Sequence, residues 1–242
     1  MVEGQAAQGS GRVGKGPPAD PLLRLRLYRK DRIFRITSLQ LTFASGGFMG
    51  TLFIVPLLLQ NGLGFSAIHS GLSTFTEAFG GMTGVQLTTR LYKRVGPRRL
   101  MVAGMCGTIT TISLMALAGP SDAFWMIPLL MYFTGCSFGF AMSPSQTANM
   151  ATVTAAETGH ASTLLNTVRQ AGGAAGVALL GTVLAASGAS AGDLAGYHLS
   201  FVAAACLMTL GLLSSLFVND ADAAPTMAAA TGDTPAPLPE AA

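Results

Sequence analysis

The chain has 242 residues, of which half are hydrophobic and 10% charged, and its mean hydropathy is +0.50. Ordinary soluble domains carry about a quarter charged residues, so this composition excludes one and predicts a bilayer as solvent. The net charge is +3, but thirteen of the fourteen Lys and Arg fall in two clusters, residues 12–35 and 90–99, with Arg169 alone, which excludes a basic nucleic-acid-binding face.

Residues 1–20 are rich in Gly, Ala, Gln and Pro and lack the short apolar core of a signal peptide, so they read as a disordered leader. Residues 21–35 hold Arg24, Arg26, Arg29, Lys30, Arg32 and Arg35, a basic cytoplasmic segment. From 36 to 218 the chain offers six windows of roughly the twenty apolar residues that a bilayer-spanning helix needs. They are Ile36–Gln60, Ala67–Thr89, Leu100–Ala118, Ala123–Thr147, Ser162–Ser187 and Tyr197–Val218. None alternates apolar and polar residues as a barrel strand would. The tail, residues 219–242, is acidic and rich in Ala and Pro, and reads as unstructured. The expected fold class is therefore all-α integral membrane, with six transmembrane helices forming one bundle.

Loop charge sets orientation, because short cytoplasmic loops hold the Lys and Arg. The connection after the second window, "RLYKRVGPRRL", holds Arg90, Lys93, Arg94, Arg98 and Arg99, whereas those after the first, third and fifth windows hold none. Both termini are thus expected in the cytoplasm. Phe124, Trp125 and Tyr197 fall at the outer boundary and Tyr28 and Tyr92 at the inner one, as interfacial aromatics do.

Four windows contain G-x-x-x-G: Gly46 and Gly50 in the first, Gly80 and Gly84 in the second, Gly135 and Gly139 in the fourth, Gly172 and Gly176 in the fifth. Small residues one turn apart let helix backbones approach closely. Pro56, Pro128 and Pro144 each remove a backbone donor inside a window and predict kinks.

Cys106, Cys136 and Cys206 sit singly in apolar runs, without metal-ligand or disulfide spacing. No nucleophile triad, zinc-protease motif or phosphate loop is present, so an enzyme is not expected and no cofactor or metal is implied. Intramembrane ionisable residues are the remaining place for chemistry. Glu77 is the one acidic residue inside a window; it suits a group that takes and releases a proton, or else a structural carboxyl paired with Ser or Thr. Arg169 lies about two turns inside the cytoplasmic end of the fifth window. It either snorkels to the interface or lines a water-filled cavity, where Asn166 and Gln170 beside it make a polar facet. Gln86, Gln146 and Asn149 extend that facet if their helices meet the fifth. His69 and His160 stand at loop boundaries and read as surface histidines.

The blocks "PLLRLRLYRKDRIFR", "VPLLLQNGLGFSAIHSGLSTFTEAFGG", "RLYKRVGPRRLMVAG", "SPSQTANMATV" and "TGHASTLLNTVRQAGGAAGVALLGTV", in that order from Pro21 to Val218, resemble the C-terminal half of major facilitator superfamily transporters. Within it they look most like the fourteen-helix drug:proton antiporters of the QacA and EmrB type. The resemblance implies one half-bundle of the major facilitator fold, packed against a second six-helix bundle, with a small-molecule substrate passing between them by alternating access. It aligns Arg94, Gly96, Arg98 and Arg99 with the family's cytoplasmic loop signature, from which this copy departs: Thr89 stands at the Gly position, Lys93 at the Asp position, and Pro97 is inserted. It also puts Arg169, Gln170, Gly172, Gly173 and Gly176 in an "RQ-x-G-G" block that packs the fifth helix and lines the cytoplasmic half of the pathway. The N-terminal bundle and the antiporter signature with its Pro are absent from this sequence. The expectation is a proton-coupled drug exporter half in the bacterial inner membrane, in contact with lipid and needing a second bundle, either another copy or a separate chain. The alternative is a non-transporting remnant that acts only through helix–helix contacts.

Overall fold

Six helices follow one another in the computed structural model, which describes residues 32–119, 123–150, 158–188 and 194–217. They are α1 (Arg32–Leu57), α2 (Ala67–Val95), α3 (Pro97–Met115), α4 (Ala123–Met150), α5 (Thr158–Ala186) and α6 (Ala195–Leu216). The leader 1–20, nearly all of the basic segment 21–35 and the tail 219–242 lie outside the described residues, as do His160 and Asn149 in their side chains.

Among the described residues, four stretches are long and apolar enough to cross a membrane: Arg35–Gly62, Ala123–Thr147, Ser162–Ala186 and Ala195–Leu216. The sequence predicts six. α2 falls short because Glu77, Gln86, Arg90 and many Ser and Thr dilute it, and α3 because Arg98 and Arg99 occupy its first turn and threonines its middle. Both still join the bundle, because each packs along α4.

Helix ends follow local chemistry. Pro56 interrupts the ladder of α1, which widens into a π-helical turn, Leu58–Gly62. Such turns arise where the i→i−4 ladder is broken. Gly64, at φ +70°, then turns the chain, and Ser66 caps α2 by accepting from the His69 N–H at 3.2 Å. Between α2 and α3 the joint is one residue: Gly96, buried, at φ 84° and ψ 155°. Pro97 follows in the first turn of α3, where its missing N–H costs nothing.

The packing is an exchange of two three-helix units. α1 packs on α5 and α6, α4 packs on α2 and α3, and α3 meets α6; swapping α1–α3 with α4–α6 leaves this pattern unchanged. Directions obey the same rule. α1 and α5 run parallel, with Thr42 and Gly46 against Gly172 and Gly176 in rising order, and α2 and α4 run parallel, with Gly80 against Tyr132 and Gly84 against Cys136. α3 crosses α4 in the opposite sense, Gly104 meeting Ala141 while Thr134 donates to Thr111 at 2.8 Å. The second unit is thus an inverted copy of the first. Its trace survives in the sequence as "GGMTGV" at 80–85 in α2 and "GGAAGV" at 172–177 in α5.

All four glycine pairs are consumed in these crossings. A Cβ at Gly176 would strike the backbone of Gly46, and one at Gly135 the carbonyl of Glu77. Where α1 passes α4, Phe48 and Phe138 stack with centroids 3.7 Å apart and planes 3° from parallel. Around them lies the core, with Leu41, Ile54, Met105, Ile112, Met131, Phe201 and Met208 all buried.

Candidate functional site

Glu77 sits about three turns into α2, one turn before Gly80–Gly81. Its backbone carbonyl abuts Gly135 of α4, and its Oε1 lies 3.9 Å from where Gly81 would carry a Cβ, so the carboxylate folds over a gap left by glycine. The side chain is half-buried, and no described residue gives it a hydrogen bond or ion pair. Arg169 is exposed on α5, and its Nη2 donates to Asn166 Oδ1 at 3.0 Å. That bond fixes one edge of the guanidinium fork. Gln170, next in sequence, is exposed as well.

α5 packs on α1 and α6, whereas α2 and α4 pack on each other. Gln86 and Gln146, both exposed, therefore stand on the flank opposite Arg169, with α1 between. Arg94, Arg98 and Arg99 are exposed around the buried Gly96 joint. Glu77 and Arg169 make no contact with each other, but they hold the same register: each is the third residue before the paired glycines of its helix, Gly80–Gly81 and Gly172–Gly173. Because the two units are inverted, one position lies toward each membrane face.

A further group escaped the reading of the sequence. Gln40 of α1 is fully buried; its Oε1 accepts from Ser145 of α4 at 2.6 Å and its Nε2 approaches Met105 Sδ of α3 at 3.8 Å. An amide in the apolar run "ITSLQLTF" was the available signal, since a buried polar side chain must find partners. Ser38 and Ser45, two turns apart on one face of α1, and Thr88 of α2 bury hydroxyls that no described residue engages.

The Major Facilitator Superfamily model matches residues 3–177. The chain belongs to the major facilitator superfamily.

The six helices and their inverted three-helix units make one half-bundle of the major facilitator fold, in a multi-pass membrane protein. Among its relatives, the uncharacterized MFS-type transporter YcnB of Bacillus subtilis (strain 168) is 31% identical over 207 residues, 81% of this chain and 43% of YcnB. YhcA of the same organism, also an uncharacterized MFS-type transporter, is 27% identical over 161 residues, 66% of this chain and 30% of YhcA. The Multidrug resistance protein B homolog of Mycobacterium tuberculosis (strain ATCC 25618 / H37Rv) is 25% identical over 162 residues, 66% of this chain and 30% of that protein. The chain thus spans less than half the length of these major facilitator relatives.

Proposed function

We propose that this chain is the C-terminal half of a proton-coupled exporter of drugs or other small amphipathic molecules, of the fourteen-helix QacA and EmrB type. It would work by alternating access against a second six-helix bundle in the bacterial inner membrane, with both ends cytoplasmic. The observation that carries the reading is the free face of α5. Thr163, Thr167, Ala171, Ala174, Ala178 and Thr182 are exposed along it, whereas α6 exposes Leu199, Val202, Leu210 and Leu213. Lipid accepts large apolar side chains; small ones favour a close-packed helix. A second bundle on α5 supplies that helix, and relatives roughly twice as long support its existence.

In this reading Glu77 takes a proton on one side of the membrane and releases it on the other, its carboxylate having no fixed partner among the described residues. Arg169, steadied by Asn166, faces the cytoplasmic half of the pathway with Gln170.

The test is uptake of a fluorescent cationic dye by inverted vesicles holding this chain, energised by a proton gradient, with and without an uncoupler. Uncoupler-sensitive uptake with the chain alone makes the second bundle another copy. Uptake only after co-expression of a six-helix N-terminal half makes it a separate partner. No uptake from well-inserted protein in either case overturns the reading in favour of a non-transporting remnant.

A further inference from the structure

Away from the proposed pathway, Thr76, Phe79, Trp125, Pro128, Leu129 and Tyr132 line an open groove of about 440 Å³ between α2 and α4. That is within the range of ligand-binding clefts, about 300–1,000 Å³. Phe79 follows Glu77 by two residues, so at about 100° per residue the groove and the carboxylate lie on opposite sides of α2. No charged side chain lines it.

The polar atoms of the groove are already engaged. The Thr76 hydroxyl is held by the carbonyls of Pro128 at 2.8 Å and Ser73 at 2.7 Å. Tyr132 Oη donates to Thr83 Oγ1 at 3.3 Å, and Thr83 in turn donates to the Phe79 carbonyl at 2.9 Å. A neutral polar occupant would lose its own hydration with no free hydrogen-bond partner inside the groove; a cation would meet ring faces, and the displacement arm below tests for one. Hydrocarbon loses none.

The rim is different. Trp125, the chain's single Trp, is 79% exposed in the first turn of α4, and its indole N–H has no partner among the described residues. From Trp125 to Tyr132 the groove descends seven residues, about 10 Å at 1.5 Å per residue. It therefore offers one hydrogen-bond donor at the membrane surface and apolar walls beneath, the order in which a glycerophospholipid presents ester or phosphate oxygens and then acyl chain.

We infer that this groove is a binding site for one phospholipid of the leaflet in which α4 begins, with an acyl chain between Phe79 and Leu129 and the headgroup oxygens at Trp125. The site depends on membrane embedding and not on transport, so it stands or falls apart from the proposed function.

The experiment titrates delipidated full-length chain in detergent micelles with dibrominated phosphatidylcholine and reads Trp125 fluorescence, which bromine quenches on contact. The expected result is saturable quenching at one lipid per chain. Leu129→Phe, which fills the groove, removes the saturable part with helix content by circular dichroism unchanged. A control reporter, Leu117→Trp in a Trp125→Phe background, shows only gradual quenching, because Leu117 is exposed at the same end of the bundle and does not line this groove. Equal, non-saturable quenching at both reporters overturns the site. Displacement of the brominated lipid by tetraphenylphosphonium also overturns it, making the groove a cargo site.

Discussion

Glu77 and Arg169 occupy equivalent places in the two inverted units, each one turn ahead of the double glycine that seats its helix. Inversion turns this equivalence into opposition, an acid toward one face and a base toward the other. Arg169 is exposed, Glu77 is half-buried, and neither belongs to the hydrophobic core.

Substitution of the pair should therefore alter flux and not folding. Glu77→Gln is expected to abolish gradient-driven dye uptake at unchanged expression. Arg169→Ala is expected to weaken apparent substrate affinity by about tenfold or more, the worth of a charge-assisted hydrogen bond at about 1.5–3 kcal/mol. Arg169→Lys separates two roles: an interfacial anchor is rescued by any cation, whereas a fork held by Asn166 is not. Uptake measured across the three variants checks all of this.

Glycines at the crossings should not tolerate a methyl group. Gly176→Ala drives a Cβ into the Gly46 backbone, and overpacking of this kind costs about 1–3 kcal/mol. Gly71, with open space around it, is the internal control: Gly71→Ala should be neutral or stabilise by about 0.5–1 kcal/mol. In the same detergent, Gly176→Ala should lower the unfolding midpoint while Gly71→Ala leaves it unchanged or raises it.

At the joint between α2 and α3 the backbone conformation itself is the constraint. Gly96 holds φ 84° with ψ 155°, a region that side-chain-bearing residues occupy at a cost of about 1–3 kcal/mol. Gly96→Ala should lower the unfolding midpoint, while Arg98→Ala, at an exposed position two residues on, should matter much less.

The buried amide makes a sharper prediction. Ser145→Ala removes the donor to Gln40 Oε1 and should cost about 1–3 kcal/mol, the penalty for a buried group left unpaired. Adding Gln40→Met should restore most of that loss, because both polar partners are then gone. A double-mutant cycle by thermal unfolding reads the coupling.

Periodicity and composition made the helices legible. The windows Ala67–Thr89 and Ala123–Thr147 begin where α2 and α4 begin, because Ser66 caps one and the apolar run "AFWMI" opens the other. The glycine pairs were also legible, but their partners were not. Gly46 meets Gly176 and Gly80 meets Tyr132 through the exchange of units, which the "GGMTGV" and "GGAAGV" repeat could have revealed. The polar facet around Arg169 was legible in Asn166 and Gln170, one helical turn apart. Its extension to Gln86 and Gln146 was not, since helix-to-helix adjacency is not written in any single helix. Gln40 was invisible for a related reason: ionisable residues draw attention in an apolar run, and an amide does not.

Two copies of one architecture, one upright and one upside down, set a problem for insertion into the membrane. Helices of the same kind must enter in opposite senses, so nothing within them can say which way is up. That information has to reside in the connections. The joint of the first unit is flanked by Arg94, Arg98 and Arg99, while its counterpart in the second, residues 187–194, reads "SGASAGDL" without a single cation. By the positive-inside rule these cations are expected to set which way the bundle faces, and moving Arg94, Arg98 and Arg99 to the second connection asks whether it can be turned over.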